Sequence, residues 1–107
     1  MAGVPKSIAK SVTTAGTRVT LVAATTETAE VVIRANPLNT GNIFLGGADV
    51  SSTVGYILKP GESFSFSQLR DLTAGATREN YMIDLLSIYL DSEVNGEGVR
   101  ALYTVRS

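Results

Sequence analysis

The run Asp91-Ser92-Glu93-Val94-Asn95-Gly96-Glu97 holds the densest set of oxygen ligands in the chain. Oxygens at alternate positions followed by Gly resemble the opening of a calcium-binding loop. The acid that such a loop needs at its twelfth position falls on Leu102, however, and the flanking segments read as strands rather than helices. A solvated hairpin accounts for the run better. Asp84 and Asp91 could be a carboxylate pair for glycoside hydrolysis, but nothing in the sequence fixes their separation, so solvated acids are the simpler reading. Gly46-Gly47-Ala48-Asp49 lacks the lysine and hydroxyl of a phosphate cradle and reads as a tight turn where glycine supplies positive φ.

The chain contains neither histidine nor cysteine. That excludes Ser-His-Asp and Cys-His nucleophiles, disulfides and the common zinc sites. Lys6, Lys10 and Lys59 are the only lysines; Lys10 alone stands in an S-x-x-K string, Ser7-Ile8-Ala9-Lys10, within a segment that reads as extended rather than as the helix that would put both side chains on one face. The expectation is a protein that is not an enzyme and needs no cofactor or metal. Phe44, Tyr56, Phe64, Phe66, Tyr81, Tyr89 and Tyr103 are spread along the chain. Core packing is their ordinary use, with an exposed tyrosine platform for stacking sugars as the alternative.

Composition narrows the partners. The 107 residues suit one domain with a thin core. Charged residues are only 18% of the chain against 44% hydrophobic, and Ser and Thr take the place of the missing charge. The formal net charge of −1 gives no footprint for a polyanion, so nucleic acid is not an expected partner. No apolar run nears the roughly 20 residues that cross a bilayer, and Met1 to Lys10 has no apolar signal core. Neither a membrane partner nor export is expected, and synthesis in a cytoplasm is.

Short alternating segments must position these residues. Arg18–Ala23, Thr28–Ala35, Asn42–Leu45, Gly55–Leu58, Ser63–Ser67, Leu85–Leu90 and Val99–Val105 read as strands. In Thr28–Ala35, Ala29, Val31, Ile33 and Ala35 share one face, and Glu30, Val32 and Arg34 the other. Asn36 to Asn42, Pro60-Gly61 and Asn95-Gly96 are turns. Leu69 to Met82 fits either a helical turn or an extended loop. The spacing predicts an all-β fold, a small antiparallel sandwich or barrel spanning residues 18–107. Phe64, Phe66, Val31, Ile33, Leu45, Ile88, Leu90 and Val99 are its expected core. Residues 1–17 are basic, with Lys6 and Lys10, and poor in large apolar groups. They read as an extended arm that either crosses a neighbouring chain or pairs with the edge of its own sheet. Lys6, Lys10, Arg18, Arg70 and Arg78 are the candidate partner contacts, the last two in the Ser67 to Met82 loop.

Residues Ile43-Phe44-Leu45-Gly46-Gly47-Ala48-Asp49-Val50-Ser51-Ser52 and Gly55-Tyr56-Ile57-Leu58-Lys59-Pro60-Gly61-Glu62-Ser63-Phe64 together resemble a pattern of small virion proteins of tailed phages. Val31 to Asn36, Leu86 to Leu90 and Gly98 to Tyr103 extend the likeness over roughly residues 18–105. The chain departs from the pattern at Ser67 to Met82, where the loop is longer. The resemblance implies a β-sandwich or barrel located in a virion. It implies a decoration or cement role on the capsid surface, with the major capsid protein as partner and a homo-oligomer, a trimer by preference, as the assembled form. A tail, fibre or baseplate module, with carbohydrate as a ligand, is the alternative it allows.

Overall fold

Alternation at a period of two turns one side of a strand to the core and the other to water. In the computed structural model, which describes residues 3–28, 30–67 and 83–106, Glu30–Ala35 follows that rule over its whole length. Val31, Ile33 and Ala35 are buried, while Glu30, Val32 and Arg34 are exposed. The described residues form ten strands: β1 Gly3–Ser11, β2 Val19–Thr20, β3 Glu27–Thr28, β4 Glu30–Ala35, β5 Ile43–Gly46, β6 Tyr56–Leu58, β7 Ser63–Ser67, β8 Ile83–Asp84, β9 Tyr89–Ser92 and β10 Gly98–Arg106. They make a small all-β sandwich. Sheet one has the order β1-β10-β4-β7, sheet two the order β2-β9-β5-β6, and β3 pairs with β8. Every pairing is antiparallel.

The core lies between the two large sheets. Val31, Ile33, Val99 and Ala101 come from sheet one, and Ile43, Leu45, Leu58 and Leu90 from sheet two. Val12, Leu21, Leu85 and Ile88 fill in from the connections. Each fully buried aliphatic side chain contributes ~1.5–3 kcal/mol of transfer free energy. Six of the expected core residues are buried: Val31, Ile33, Leu45, Ile88, Leu90 and Val99. Phe64 is only half-buried, because its ring sits at the sandwich flank, 4.6 Å from that of Tyr56. The side chain of Phe66 lies outside the described residues, as does the segment 68–82 with its unresolved choice of helical turn or loop.

Three local expectations are corrected. Leu85–Leu90 is not one strand: Leu85–Ser87 form a 3-10 turn before β9 begins. Asp84 causes the turn, since its carboxylate accepts the Leu86 N–H at 3.0 Å and caps it. Arg18–Ala23 contributes only the two residues of β2. Gly46 and Gly47 do not have positive φ; Gly55 does, at 129°, packed against the Leu45 carbonyl. Of the two readings of the N-terminal segment, residues 3–11 follow the second. They pair with β10 along nine residues, from Gly3 opposite Arg106 to Ser11 opposite Gly98, so they are the edge strand of the domain's own sheet.

Gly98 makes that docking possible. A Cβ there would collide with the Lys10 carbonyl oxygen and come within 2.6 Å of the Ser11 Cα. Only hydrogen at this position lets β1 approach β10. The Pro60-Gly61 turn is built as its sequence predicts. The Lys59 carbonyl accepts the Glu62 N–H at 2.9 Å and Gly61 has φ 84°.

Candidate interaction surface

The acid-rich run that begins at the end of β9 is not simply solvated as expected: it turns its oxygens back onto the protein. Buried Asp91 accepts the Gly16 N–H at 2.9 Å and the Ser92 N–H at 2.8 Å. Glu93 accepts the Asn42 N–H at 2.7 Å, and the Asn95 side-chain oxygen accepts the Ala15 N–H at 2.7 Å. Glu97 accepts the Thr40 N–H at 2.7 Å, the Thr40 hydroxyl at 2.9 Å and the Gly41 N–H at 2.9 Å. The Thr40 and Gly41 N–H groups hold the Glu97 carboxyl below its ordinary range, because they stabilise its charged form. The alternate oxygens that resemble a calcium loop therefore satisfy the backbone of two neighbouring turns, 12–17 and 36–42. Among the described residues no group of three or more His, Cys, Asp or Glu could hold a metal. Asp84, the other member of the conceivable carboxylate pair, accepts N–H groups of Leu86 and Thr26.

Four further bonds close this end of the sandwich. The Asn39 amide donates to the Gly98 carbonyl at 2.9 Å, and the same carbonyl accepts the Asn36 N–H at 3.1 Å. Val12 exchanges backbone bonds with the hairpin, donating to Glu97 at 2.9 Å and accepting from Gly96 at 2.7 Å. Gly96 has φ 82°, as its place in the Asn95-Gly96 turn requires.

The outward face of sheet one is built differently. Arg100 lies directly opposite Arg34 across β10 and β4, and Leu102 directly opposite Val32. All four side chains point away from the core, because the residues between them, Ala101 and Ile33, are buried. Leu102 is 52% exposed and Val32 42%. The flanking strands place small residues beside them. Ser7 and Ala9 of β1 pair with Leu102 and Arg100, and Ser65 and Ser63 of β7 pair with Val32 and Arg34. The result is an open groove of about 560 Å³ whose lining includes Ser7, Ala9, Val32, Arg34, Arg100 and Leu102. Arg34 donates from Nε to the Gly61 carbonyl at 3.0 Å. Arg100 has no hydrogen-bond or ion-pair partner among the described residues.

The basic residues predicted as contacts are not brought together on this face. Lys6 and Lys10 lie on the opposite side of β1 from Ser7 and Ala9, Lys6 exposed and Lys10 half-buried. Arg18 is exposed ahead of β2. Arg70 and Arg78 lie outside the described residues. Of the described aromatics, Tyr56 is the most open, at 53%. Sequence reasoning missed Arg34 and Arg100. Each shows on its own strand as an outward position, but their apposition depends on a pairing between distant segments. No family model, curated protein or solved structure matches the chain.

Proposed function

We propose that this chain is a structural, non-catalytic protein of a tailed-phage particle that decorates the capsid and stabilises it through contacts with the major capsid protein and with copies of itself. The outward face of sheet one carries this reading: exposed Val32 and Leu102 beside two apposed arginines, bordered by small residues that let another surface approach. The resemblance around Gly46 to Ser63 supports the virion setting. Many weak contacts of this kind add up in a symmetric shell through avidity, and bound copies stabilise the assembled lattice by mass action. A second reading, a tail or fibre module that stacks sugars, draws on exposed Tyr56 with the Phe64 ring behind it. A quantitative protein gel of purified particles separates the two. The decoration reading expects on the order of hundreds of copies per particle, as an icosahedral shell requires, and roughly six to a few dozen would favour the tail.

A further inference from the structure

We propose that the outward face of sheet one docks an acidic, extended peptide segment of a protein partner, with a carboxylate over Arg34 and Arg100 and an apolar side chain over Val32 and Leu102. The proposal rests on reading this face as the adhesive surface and names the chemistry of what it holds.

The register sets the geometry. Directly opposed residues on one sheet face stand ~5 Å apart at Cβ, and positions two apart along a strand are separated by about 7 Å. The four side chains thus form a rectangle, cations at one end and apolar groups at the other. An extended segment repeats its own side chains at the same spacing. A Glu-x-Leu unit lying along the strands meets both ends at once.

Charge identifies the occupant. Like charges directly opposed on a sheet repel each other. The bond from Arg34 goes to a neutral carbonyl, and Arg100 has no partner among the described residues. Glu97 borders the adjoining concavity together with Arg100, but its carboxylate is taken up by Thr40 and Gly41. A partner carboxylate would relieve the repulsion and bridge two planar guanidinium groups, which suit carboxylates geometrically. A nucleic acid fits less well. Polyanion binding needs a track of cations neutralising successive phosphates. Here two arginines adjoin an apolar pair, and the chain carries a net charge of −1.

The probe is an acetylated, amidated pentapeptide, Ser-Glu-Ser-Leu-Ser, titrated into the full chain with backbone amide NMR signals as the readout. The expected result is displacement confined to the segments around Ser7–Ala9, Val32–Arg34 and Arg100–Leu102. The same peptide with Lys for Glu should bind about tenfold more weakly, the effect of losing a charge-assisted hydrogen bond. The double variant R34E/R100E should reverse that preference. Both side chains are exposed and only the surface bond from Arg34 to the Gly61 carbonyl is lost, so the double variant should still fold, with a slightly lower melt than the parent; if it does not fold, the single variant R100Q must show the same about tenfold loss for the Glu peptide. Equal binding of the Lys peptide, movement of signals elsewhere, tighter binding of a single-stranded oligonucleotide to these signals, or no movement up to about 5 mM peptide would each overturn the proposal. Peptide binding with a tail-like copy number would sink the decoration reading and leave the docking site standing. Shell-like copy number without peptide binding would do the reverse.

Discussion

The acid-rich end of the sandwich and the outward face of sheet one both display charged side chains, yet they use them in opposite ways. At the loop end Asp91, Glu93, Asn95 and Glu97 each accept at least one backbone N–H from a turn that is distant in sequence. Turns leave donors unpaired, and an acceptor side chain there removes the cost of leaving them so. On the sheet face the ladder has already satisfied the strand backbone; Arg34 spends one donor on the Gly61 carbonyl of the neighbouring turn, and Arg100 makes no bond for the fold among the described residues. The same residue classes are structural where the backbone is irregular and available to a partner where it is regular. Substitutions at the first region should therefore move stability, and those at the second should move binding.

The largest expected effect comes from removing β1. Deleting residues 1–11 strips the edge from β10 along its paired length and removes Ile8, which packs against the core. The truncated chain should lose cooperative unfolding or aggregate through the bared β10 edge. Size-exclusion chromatography and a thermal melt check this. A folded, monomeric truncation with unchanged melting would show that β1 is an appendage after all. Gly98→Ala comes next. Its methyl group cannot share space with the Lys10 carbonyl and the Ser11 backbone, so β1 must shift. A loss of ~1–3 kcal/mol is expected from overpacking of this kind, with hydrogen exchange accelerated first in residues 3–11.

Which of these features can be read in the sequence follows from how local each one is. The alternation in Glu30–Ala35 is legible because a strand's own period decides which residues face inward. Pro60-Gly61 and Asn95-Gly96 are legible because turn chemistry is local. Leu85–Ser87 misleads because its apolar composition looks like a strand, while the neighbouring Asp84 cap converts it into a 3-10 turn. β1 is hidden for a different reason. It is held mainly by backbone pairing permitted by a distant glycine, and little in its own side chains announces this. The acid run is legible as a set of oxygen ligands but not as to its targets, because Gly16, Thr40, Gly41 and Asn42 approach it only through the tertiary fold. The arginine pair depends likewise on the β4–β10 register.

A smaller effect is expected at Glu97, and it depends on pH. The folded state lowers its pKa, so the unfolded chain binds the proton more readily. The stabilisation is then complete above the unfolded value, about 4.3 for glutamate, and is lost as pH falls through the lower folded value. Glu97→Gln should melt at a lower temperature than the parent near neutral pH, and the gap should close on acidification. A gap independent of pH would mean that the Thr40 and Gly41 donors do not distinguish the charged from the neutral side chain.

The smallest stability change is expected at Arg100, and its sign is the informative part. Most substitutions in a folded protein destabilise it. Arg100→Ala removes one of two like charges that face each other across β10 and β4, and it breaks no hydrogen bond or ion pair among the described residues. It also removes aliphatic stem from the sheet face, which opposes the gain. The balance should leave stability unchanged or raised by up to ~0.5 kcal/mol at low salt. The advantage should shrink as salt screens the repulsion. Denaturant melts of both proteins at low and high ionic strength give the comparison. A loss of more than about 1 kcal/mol would place Arg100 with the loop acids as part of the fold's own bonding. The distinction between an internally committed end and an available face would then fail at the residue that defines it best.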